Sequence, residues 1–142
     1  MTRPQIIVNG APLPNIPWED RPQGSEAVVW RSQRNPIIPH DLLPSSNSIF
    51  NSAVAPYQDA FAGVFRCDDK TRAMQLHAGR SADGVTWTIG QDRIRFTPDN
   101  GQVAEINAFQ FAYDPRGVGI EDRYYVTWCN GYHGPTIGIG YT

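Results

Sequence analysis

The stretch Ala112-Tyr113-Asp114-Pro115-Arg116, with Arg123-Tyr124-Tyr125-Val126-Thr127-Trp128 behind it, sets the fold expected of this chain. Pro115 has no N–H group for a sheet hydrogen bond and biases the preceding residue toward an extended backbone, so we expect Asp114 at the start of a strand. The aromatic run is typical of a second, well-packed strand, and residues 120–123 are predicted to connect the two as a hairpin. A carboxylate at a strand end can face a cavity, which makes Asp114 the first candidate for a catalytic acid.

The composition indicates a single domain of slightly negative charge. The chain has 142 residues, enough for one domain with a core, and a formal net charge of −2. Arginine supplies all of the positive charge except Lys70, and no block of basic residues occurs. We therefore expect neither a nucleic-acid partner nor a membrane partner.

The apolar runs and the cysteines suggest where the protein acts. The N-terminal apolar run is too short for a signal peptide and no later run could span a bilayer, so a cytoplasmic location is expected. Cys67 and Cys129 lack CxxC or Cys/His spacing, which predicts neither a disulfide framework nor a zinc site. We interpret both cysteines as small buried apolar residues, and no metal site is predicted.

Residues 1–46 are interpreted as an extended, proline-rich arm that lies over the body of the domain. Their many fixed φ angles and missing N–H donors exclude a helix and leave only residues 26–31 as a plausible strand. Trp18 could form a sugar-binding platform, because a pyranose face stacks on an indole. It could equally be an anchor that pins the arm to the body.

Residues 47–100 are predicted to form one four-stranded antiparallel unit. The pattern favours strands at 50–57, 61–66, 73–80 and 85–89. The first two strands are connected at 58–60. Asp83-Gly84 is predicted to close the last hairpin with a type I′ turn, because this pair readily adopts positive φ angles.

The unit recurs when the sequence is shifted by 63 positions, which aligns Asn51 with Asp114, Asp59 with Asp122, Phe61 with Tyr124, Phe65 with Trp128 and Met74 with Ile137. Repeats of four antiparallel strands are typical of propeller blades, although common propeller repeats are only about 40–50 residues long. Residues 105–142 are therefore predicted to be a second blade that stops within its third strand. An exposed edge strand would remain.

Equivalent positions of successive blades converge on one site in a propeller, so Asn51 and Asp114 are predicted to meet. Asn51 and Ser52 offer amide and hydroxyl groups suited to sugar hydroxyls. Arg66 could donate a forked pair of hydrogen bonds to a ligand, or pair with Asp68 instead. Alternatives also stay open for Asn51, as an amide satisfied by the backbone, and for Asp114, as a turn former before proline.

Other motifs are weak or absent. His133 lies on a glycine-flanked loop, where a histidine is more often structural than ligand-binding. The chain has no GxSxG, Walker A, GxGxxG or HExxH motif, which disfavours a serine hydrolase, a nucleotide-binding protein or a zinc protease.

Several segments, taken together and in order, resemble glycoside hydrolase family 130, and in particular its β-1,4-mannooligosaccharide phosphorylases. They are Leu13-Pro14-Asn15-Ile16-Pro17-Trp18-Glu19-Asp20-Arg21-Pro22, Asn35-Pro36-Ile37-Ile38-Pro39, Ser48-Ile49-Phe50-Asn51-Ser52-Ala53, Gly63-Val64-Phe65-Arg66-Cys67-Asp68-Asp69, Ser81-Ala82-Asp83-Gly84, Tyr113-Asp114-Pro115-Arg116 and residues 120–136. The resemblance extends over nearly the whole chain.

The resemblance implies an all-β fold, here an incomplete five-bladed β-propeller of about one and a half to two blades. It also implies inverting phosphorolysis of β-mannosides to α-mannose 1-phosphate, with inorganic phosphate as co-substrate and no cofactor. Asp114 matches the catalytic acid, which donates its proton through a mannose hydroxyl to the glycosidic oxygen. Asn51, Ser52 and Arg66 match the mannose subsite, and Asp68 lies in the same motif with a less defined role.

The chain departs from the family pattern in two ways. Gly117 and Gly119 replace bulkier strand residues. This should weaken the strand that follows Asp114 and leave the orientation of the Asp114 side chain less fixed. Family members are longer, and their phosphate-binding groups lie beyond Thr142, so we expect an N-terminal part of the enzyme. A β-mannoside hydrolase of the same family, a non-catalytic carbohydrate-binding β-module and a homo-oligomer that closes the ring stay open as alternatives.

Overall fold

The computed structural model describes residues 17, 19–97, 111–130 and 136–142, so the predictions for Trp18 and His133 lie outside the described residues. Two antiparallel sheets account for all regular structure in these ranges, which confirms the all-β prediction. The strands are β1 (Ser46–Tyr57), β2 (Ala60–Asp69), β3 (Met74–Ser81), β4 (Thr88–Arg93), β5 (Tyr113–Ile120), β6 (Arg123–Asn130) and β7 (Thr136–Tyr141). Within the described ranges the chain has no helix of the length and apolarity needed to cross a bilayer.

The first sheet has the order β1-β2-β3-β4, as predicted for a meander. The prediction of β4 at residues 85–89 with a type I′ turn before it was wrong, because only Gly84 of the Asp83-Gly84 pair has a positive φ angle and β4 begins at Thr88. The Asp83 carboxylate accepts hydrogen bonds from the backbone N–H groups of Val85 and Thr86, at 2.9 and 2.7 Å. These bonds hold the chain in a loop where a strand was expected.

The second sheet has the order β5-β6-β7, and its pairing follows the predicted repeat. Ala53 pairs with Val64 in the first sheet, and Arg116 pairs with Thr127 in the second. Both connecting turns begin with a residue in the left-handed region, Gln58 with φ of 56° and Glu121 with φ of 55°. The shift of 63 positions therefore describes a structural repeat, and β7 is the third strand of the second copy.

The core of the first sheet is built around Phe65, which is fully buried and packs edge-on against Trp87 with ring centroids 4.9 Å apart. Gly79 allows this packing, because a Cβ atom there would lie 2.7 Å from the Phe65 ring. Cys67 is buried in the same cluster, and burial raises the pKa of its thiol to about 12. Cys129 is only half-buried, so the prediction of buried cysteines is confirmed for Cys67 alone.

The described part of the arm packs against this core. Leu43 is buried in it, and Ile37, Ile38 and Leu42 are partly buried against it. The plausible strand at 26–31 is absent from the described structure, and Val28 is 97% exposed. Apolar contacts attach residues 37–43 to the first sheet, and sheet pairing begins at Ser46.

Strands β1 and β5 lie side by side and join the two sheets. A Cβ atom at Gly117 would lie 3.2 Å from the Ala53 Cβ atom, so glycine permits the close approach of the strands. The Tyr124 hydroxyl donates a hydrogen bond of 2.8 Å to the Pro56 carbonyl across the same junction. The glycine that was expected to weaken β5 is therefore placed where this strand meets its neighbour.

Candidate active site

Asp114 lies in a β-bulge of β5. Tyr113 pairs with Cys129 and Arg116 pairs with Thr127, so Asp114 and Pro115 together face one residue of β6. The prediction of an extended Asp114 was wrong, because its φ angle is 51°. Aspartate tolerates the left-handed region better than most residues, and the bulge imposes this conformation despite the proline that follows.

Pro115 occupies the second bulge position and is among the most completely buried side chains of the described structure. A bulged residue is not needed as a ladder donor, so the missing N–H of proline costs no sheet hydrogen bond here. The Pro115 ring is buried, whereas the Asp114 side chain keeps 35% of its surface exposed. The bulge thus places a buried ring next to a partly exposed carboxylate.

The first sheet has a matching bulge in β1. Ile49 pairs with Cys67 and Ser52 pairs with Phe65, which leaves Phe50 and Asn51 opposite Arg66. In a regular strand, consecutive side chains point to opposite faces. Here both bulged side chains contact one cluster: Phe50 contacts Arg66, and Asn51 contacts Asp114.

Two side chains of the first sheet donate toward the Asp114 carboxylate. The Asn51 side-chain amide donates to Oδ1 at 2.8 Å, and Arg66 Nη1 approaches the same oxygen at 3.5 Å. Asn51 and Asp114 are 63 residues apart, which is the repeat length. The predicted convergence of these two positions is therefore confirmed as a direct contact.

Arg66 is fixed by Asp68 on its other edge. Nε donates to Oδ1 at 2.8 Å and Nη2 donates to Oδ2 at 3.0 Å, a bidentate ion pair. Both side chains are mostly buried, at 17% and 14% exposure. The hydrogen bond to Asp68 is the main reason that the pKa of the Arg66 guanidinium is raised.

Ser52 lies apart from this cluster. It lines a separate cavity of about 260 Å³ between the arm and the first sheet, together with Ile37, Ile38 and Trp87. Its role in the mannose subsite stays a prediction, and so do the roles of Asn51, Arg66, Asp68 and Asp114 as ligand-binding or catalytic groups.

The two carboxylates of the cluster differ in their contacts. Asp114 is a half-exposed carboxylate with two donors on one oxygen, whereas Asp68 is occupied by the guanidinium. In the part of the chain that the structure describes, no group of three or more His, Cys, Asp or Glu side chains could hold a metal ion. Asp114 is the more exposed of the two carboxylates, and its role as a proton donor stays a prediction.

No role at the site was assigned from the sequence to two residues of the cluster, Phe50 and Tyr113. The shift of 63 positions also aligns Phe50 with Tyr113, and both rings lie against Arg66. The repeat therefore predicts that the two rings lie close together, but only the polar residues beside them were considered.

Comparison with known proteins identifies a family over most of the chain. Residues 12–142 match a family model described as beta-1,4-mannooligosaccharide phosphorylase. The chain is also 56% identical over 140 residues to a beta-1,4-mannooligosaccharide phosphorylase of Ruminococcus albus. That alignment covers 96% of this chain and 42% of the relative, so the chain spans less than half of the relative's length.

Solved structures support the fold. A glycosyl hydrolase from Bacteroides ovatus superposes with a TM-score of 0.55 at 24% identity, over 66% of this chain and 28% of that one. A second structure comes from work on a family of mannoside phosphorylases containing glycoside hydrolases that target beta-1,2 mannosidic linkages in Candida mannan. It has a TM-score of 0.59 at 23% identity, over 86% of this chain and 37% of that one. Both matches cover a minor part of the other protein, consistent with an incomplete propeller.

Proposed function

Because the chain belongs to glycoside hydrolase family 130, we propose that it is the N-terminal part of an inverting phosphorylase that cleaves β-1,4-mannooligosaccharides with phosphate and yields α-mannose 1-phosphate. The observation that carries this proposal is the 2.8 Å contact between Asn51 and Asp114. It joins the equivalent positions of two blades at a half-exposed carboxylate. The close relationship to the Ruminococcus albus phosphorylase supports the substrate class.

In this proposal Asp114 is the proton donor. Asn51 and Arg66 both donate toward Oδ1, so we assign the transferable proton to Oδ2. The proton passes through a mannose hydroxyl to the glycosidic oxygen, and the bond from that oxygen to the anomeric carbon breaks. Phosphate bonds to the anomeric carbon from the opposite face, which inverts its configuration.

The state of Asp68 favours phosphate over water as the nucleophile. An inverting hydrolase needs a second carboxylate to activate water, at roughly 6.5–9.5 Å from the acid. Among the residues that the structure describes, Asp68 is the other carboxylate of the cluster, and Arg66 engages both of its oxygens. Phosphate is already anionic and requires only cationic groups that position it. We assign those groups to the part of the protein beyond Thr142.

The test uses the 142 residues joined to the part of the Ruminococcus albus relative that they do not cover, referred to below as the fused enzyme. We expect it to release mannose 1-phosphate from β-1,4-mannobiose and phosphate. Asp114→Asn should lower kcat by about 10²–10⁴-fold, because the amide cannot donate the proton of an acid. Asp122→Asn, the same substitution in the exposed turn before β6, is the matched control and should leave kcat unchanged. Undiminished phosphorolysis by Asp114→Asn would remove this residue from the mechanism.

Two alternative functions predict different results in the same assay. A β-mannoside hydrolase would release mannose at equal rates with and without phosphate. A carbohydrate-binding module would bind mannooligosaccharides without turnover. The cytoplasmic location and a homo-oligomeric state stay predictions, for cell fractionation and for light scattering respectively.

A further inference from the structure

Two aromatic rings lie against the Arg66 guanidinium. Its Cζ atom lies 4.7 Å from the centroid of Phe50 and 5.5 Å from the centroid of Tyr113. Both distances fall within the roughly 6 Å over which an aromatic ring attracts a cation. Each ring immediately precedes one of the two polar bulge residues, Asn51 and Asp114. The two copies of the repeat thus each supply one ring and one polar group.

Core packing does not explain a phenylalanine at position 50. The Phe50 side chain is 51% exposed, whereas Phe65, later in the same hairpin, is fully buried. A half-exposed ring gains only part of the free energy of burial. The Phe50 ring instead contacts the Arg66 guanidinium.

The remaining contacts of Arg66 leave one edge of the guanidinium directed at the acid. Nε and Nη2 donate to Asp68, and Nη1 approaches Asp114 Oδ1 at 3.5 Å. The bidentate pair fixes one edge of the guanidinium. A ring whose centroid lies 4.7 Å from Cζ limits how far the guanidinium can tilt about that edge, and hence how far Nη1 can move from Asp114.

We propose that Phe50, together with Tyr113, is a positioning residue that holds the Arg66 guanidinium in the orientation directing Nη1 at the Asp114 carboxylate. Phe50 acts on the acid through Arg66 and makes no chemical step itself. The consequence for catalysis rests on the proposed function, whereas the orientation of Arg66 does not. Small displacements of a catalytic group cost rate far more than affinity, so the effect should fall on kcat.

The kinetic test compares substitutions at position 50 in the fused enzyme. Phe50→Leu removes the π face and should lower kcat about tenfold, with KM within about twofold of the wild-type value. Phe50→Tyr keeps the π face and should retain wild-type kcat. Phe111→Leu applies the same substitution to another exposed phenylalanine, 41% exposed and outside the cluster, and should have no effect. Should Phe50→Leu fail to fold, Phe50→Met takes its place with the same expectation.

A spectroscopic readout on the same proteins does not depend on activity. The Arg66 Nε–H signal in ¹⁵N-resolved NMR should exchange slowly with solvent in the wild type and in Phe50→Tyr, and at least several-fold faster in Phe50→Leu. An unchanged exchange rate in Phe50→Leu would overturn the proposal, and so would an unchanged kcat. If the wild-type fused enzyme released no mannose 1-phosphate, the proposed function would fail, and the exchange rates would still decide the role of Phe50.

Discussion

The first sheet places an amide, Asn51, in the bulge of β1, and the second sheet places a carboxylate, Asp114, in the bulge of β5. The two bulges occur at equivalent places, yet only Asp114 adopts a positive φ angle. The repeat therefore determines where two side chains meet, while the residue type at each position determines what they can do. In the proposed mechanism, the second copy provides the proton donor and the first provides an amide that contacts it.

The two sheets also differ in how well their central aromatic residues are enclosed. Phe65 of β2 is fully buried between strands on both sides, and its equivalent Trp128 of β6 is 5% exposed and stacked on Phe96. In the described residues β7 is an edge strand, and its Ile137 and Ile139 side chains are 76% and 69% exposed. The third strand of the first sheet, β3, is thus flanked by β2 and β4, whereas the third strand of the second sheet, β7, pairs on one side only.

Glycine substitutions test this difference in packing and should give the larger of two effects on stability. Gly79→Ala would place a Cβ atom 2.7 Å from the buried Phe65 ring and should lower the free energy of unfolding of the 142-residue chain by about 1–3 kcal/mol. Gly138→Ala would overlap the Trp128 indole. We expect a smaller loss there, because the edge strand β7 can move outward.

Chemical denaturation of the two variants provides the measurement. Gly90→Ala is the matched control, since its Cβ atom would meet nothing closer than 3.5 Å and should change stability little. If Gly138→Ala cost more than Gly79→Ala, β7 would be held as firmly as the inner strands, and the contrast between the two sheets would be incorrect.

We expect a smaller effect on stability from the loop between β3 and β4, which belongs to the first sheet alone. Backbone hydrogen bonds from Thr86 and Val85 lower the pKa of Asp83 from 3.8 to about 2. A lowered pKa in the folded state means that the ionised carboxylate contributes stability above pH 3.8 and loses it as the pH falls toward 2. The difference in Tm between wild type and Asp83→Ala should therefore shrink over this interval.

Thermal unfolding between about pH 5 and pH 2 measures this, with Asp122→Asn as the control for a carboxylate in an exposed turn. If the difference in Tm between wild type and Asp83→Ala stayed constant across the interval, the ionised form of Asp83 would not stabilise the loop.

Much of the first sheet could be predicted from two features of its sequence. Its strands alternate between apolar and polar residues or carry β-branched and aromatic residues, and short turns separate them. The pairing of Asn51 with Asp114 followed from the repeat before any coordinates were considered. The start of β4 could not be predicted, because the Asp83 carboxylate competes with strand formation through hydrogen bonds that depend on the loop geometry. Residues 26–31 have strand-forming types but no adjacent strand to pair with in the described structure.

The backbone geometry of the cluster was harder to predict than the contact between Asn51 and Asp114. The restriction that Pro115 places on its neighbour favours an extended Asp114, yet the bulge overrides it, and a bulge depends on pairing with a distant strand. The rings of Phe50 and Tyr113 were overlooked because aromatic residues in strands are ordinarily assigned to the core. Phe50 lies in the bulge of β1 and Tyr113 directly precedes the bulge of β5, and local sequence patterns do not specify these bulges.

A double-mutant cycle on Asn51 and Asp114 tests most directly whether two equivalent positions form one catalytic unit. In the fused enzyme, kcat/KM is measured for wild type, Asn51→Ala, Asp114→Asn and the double variant. If Asn51 acts by orienting the acid, its substitution should lower kcat/KM by about tenfold or more in the wild type and have almost no further effect once Asp114 is replaced. Equal losses in both backgrounds would show that the two residues act independently, and would contradict a shared site built from the repeat.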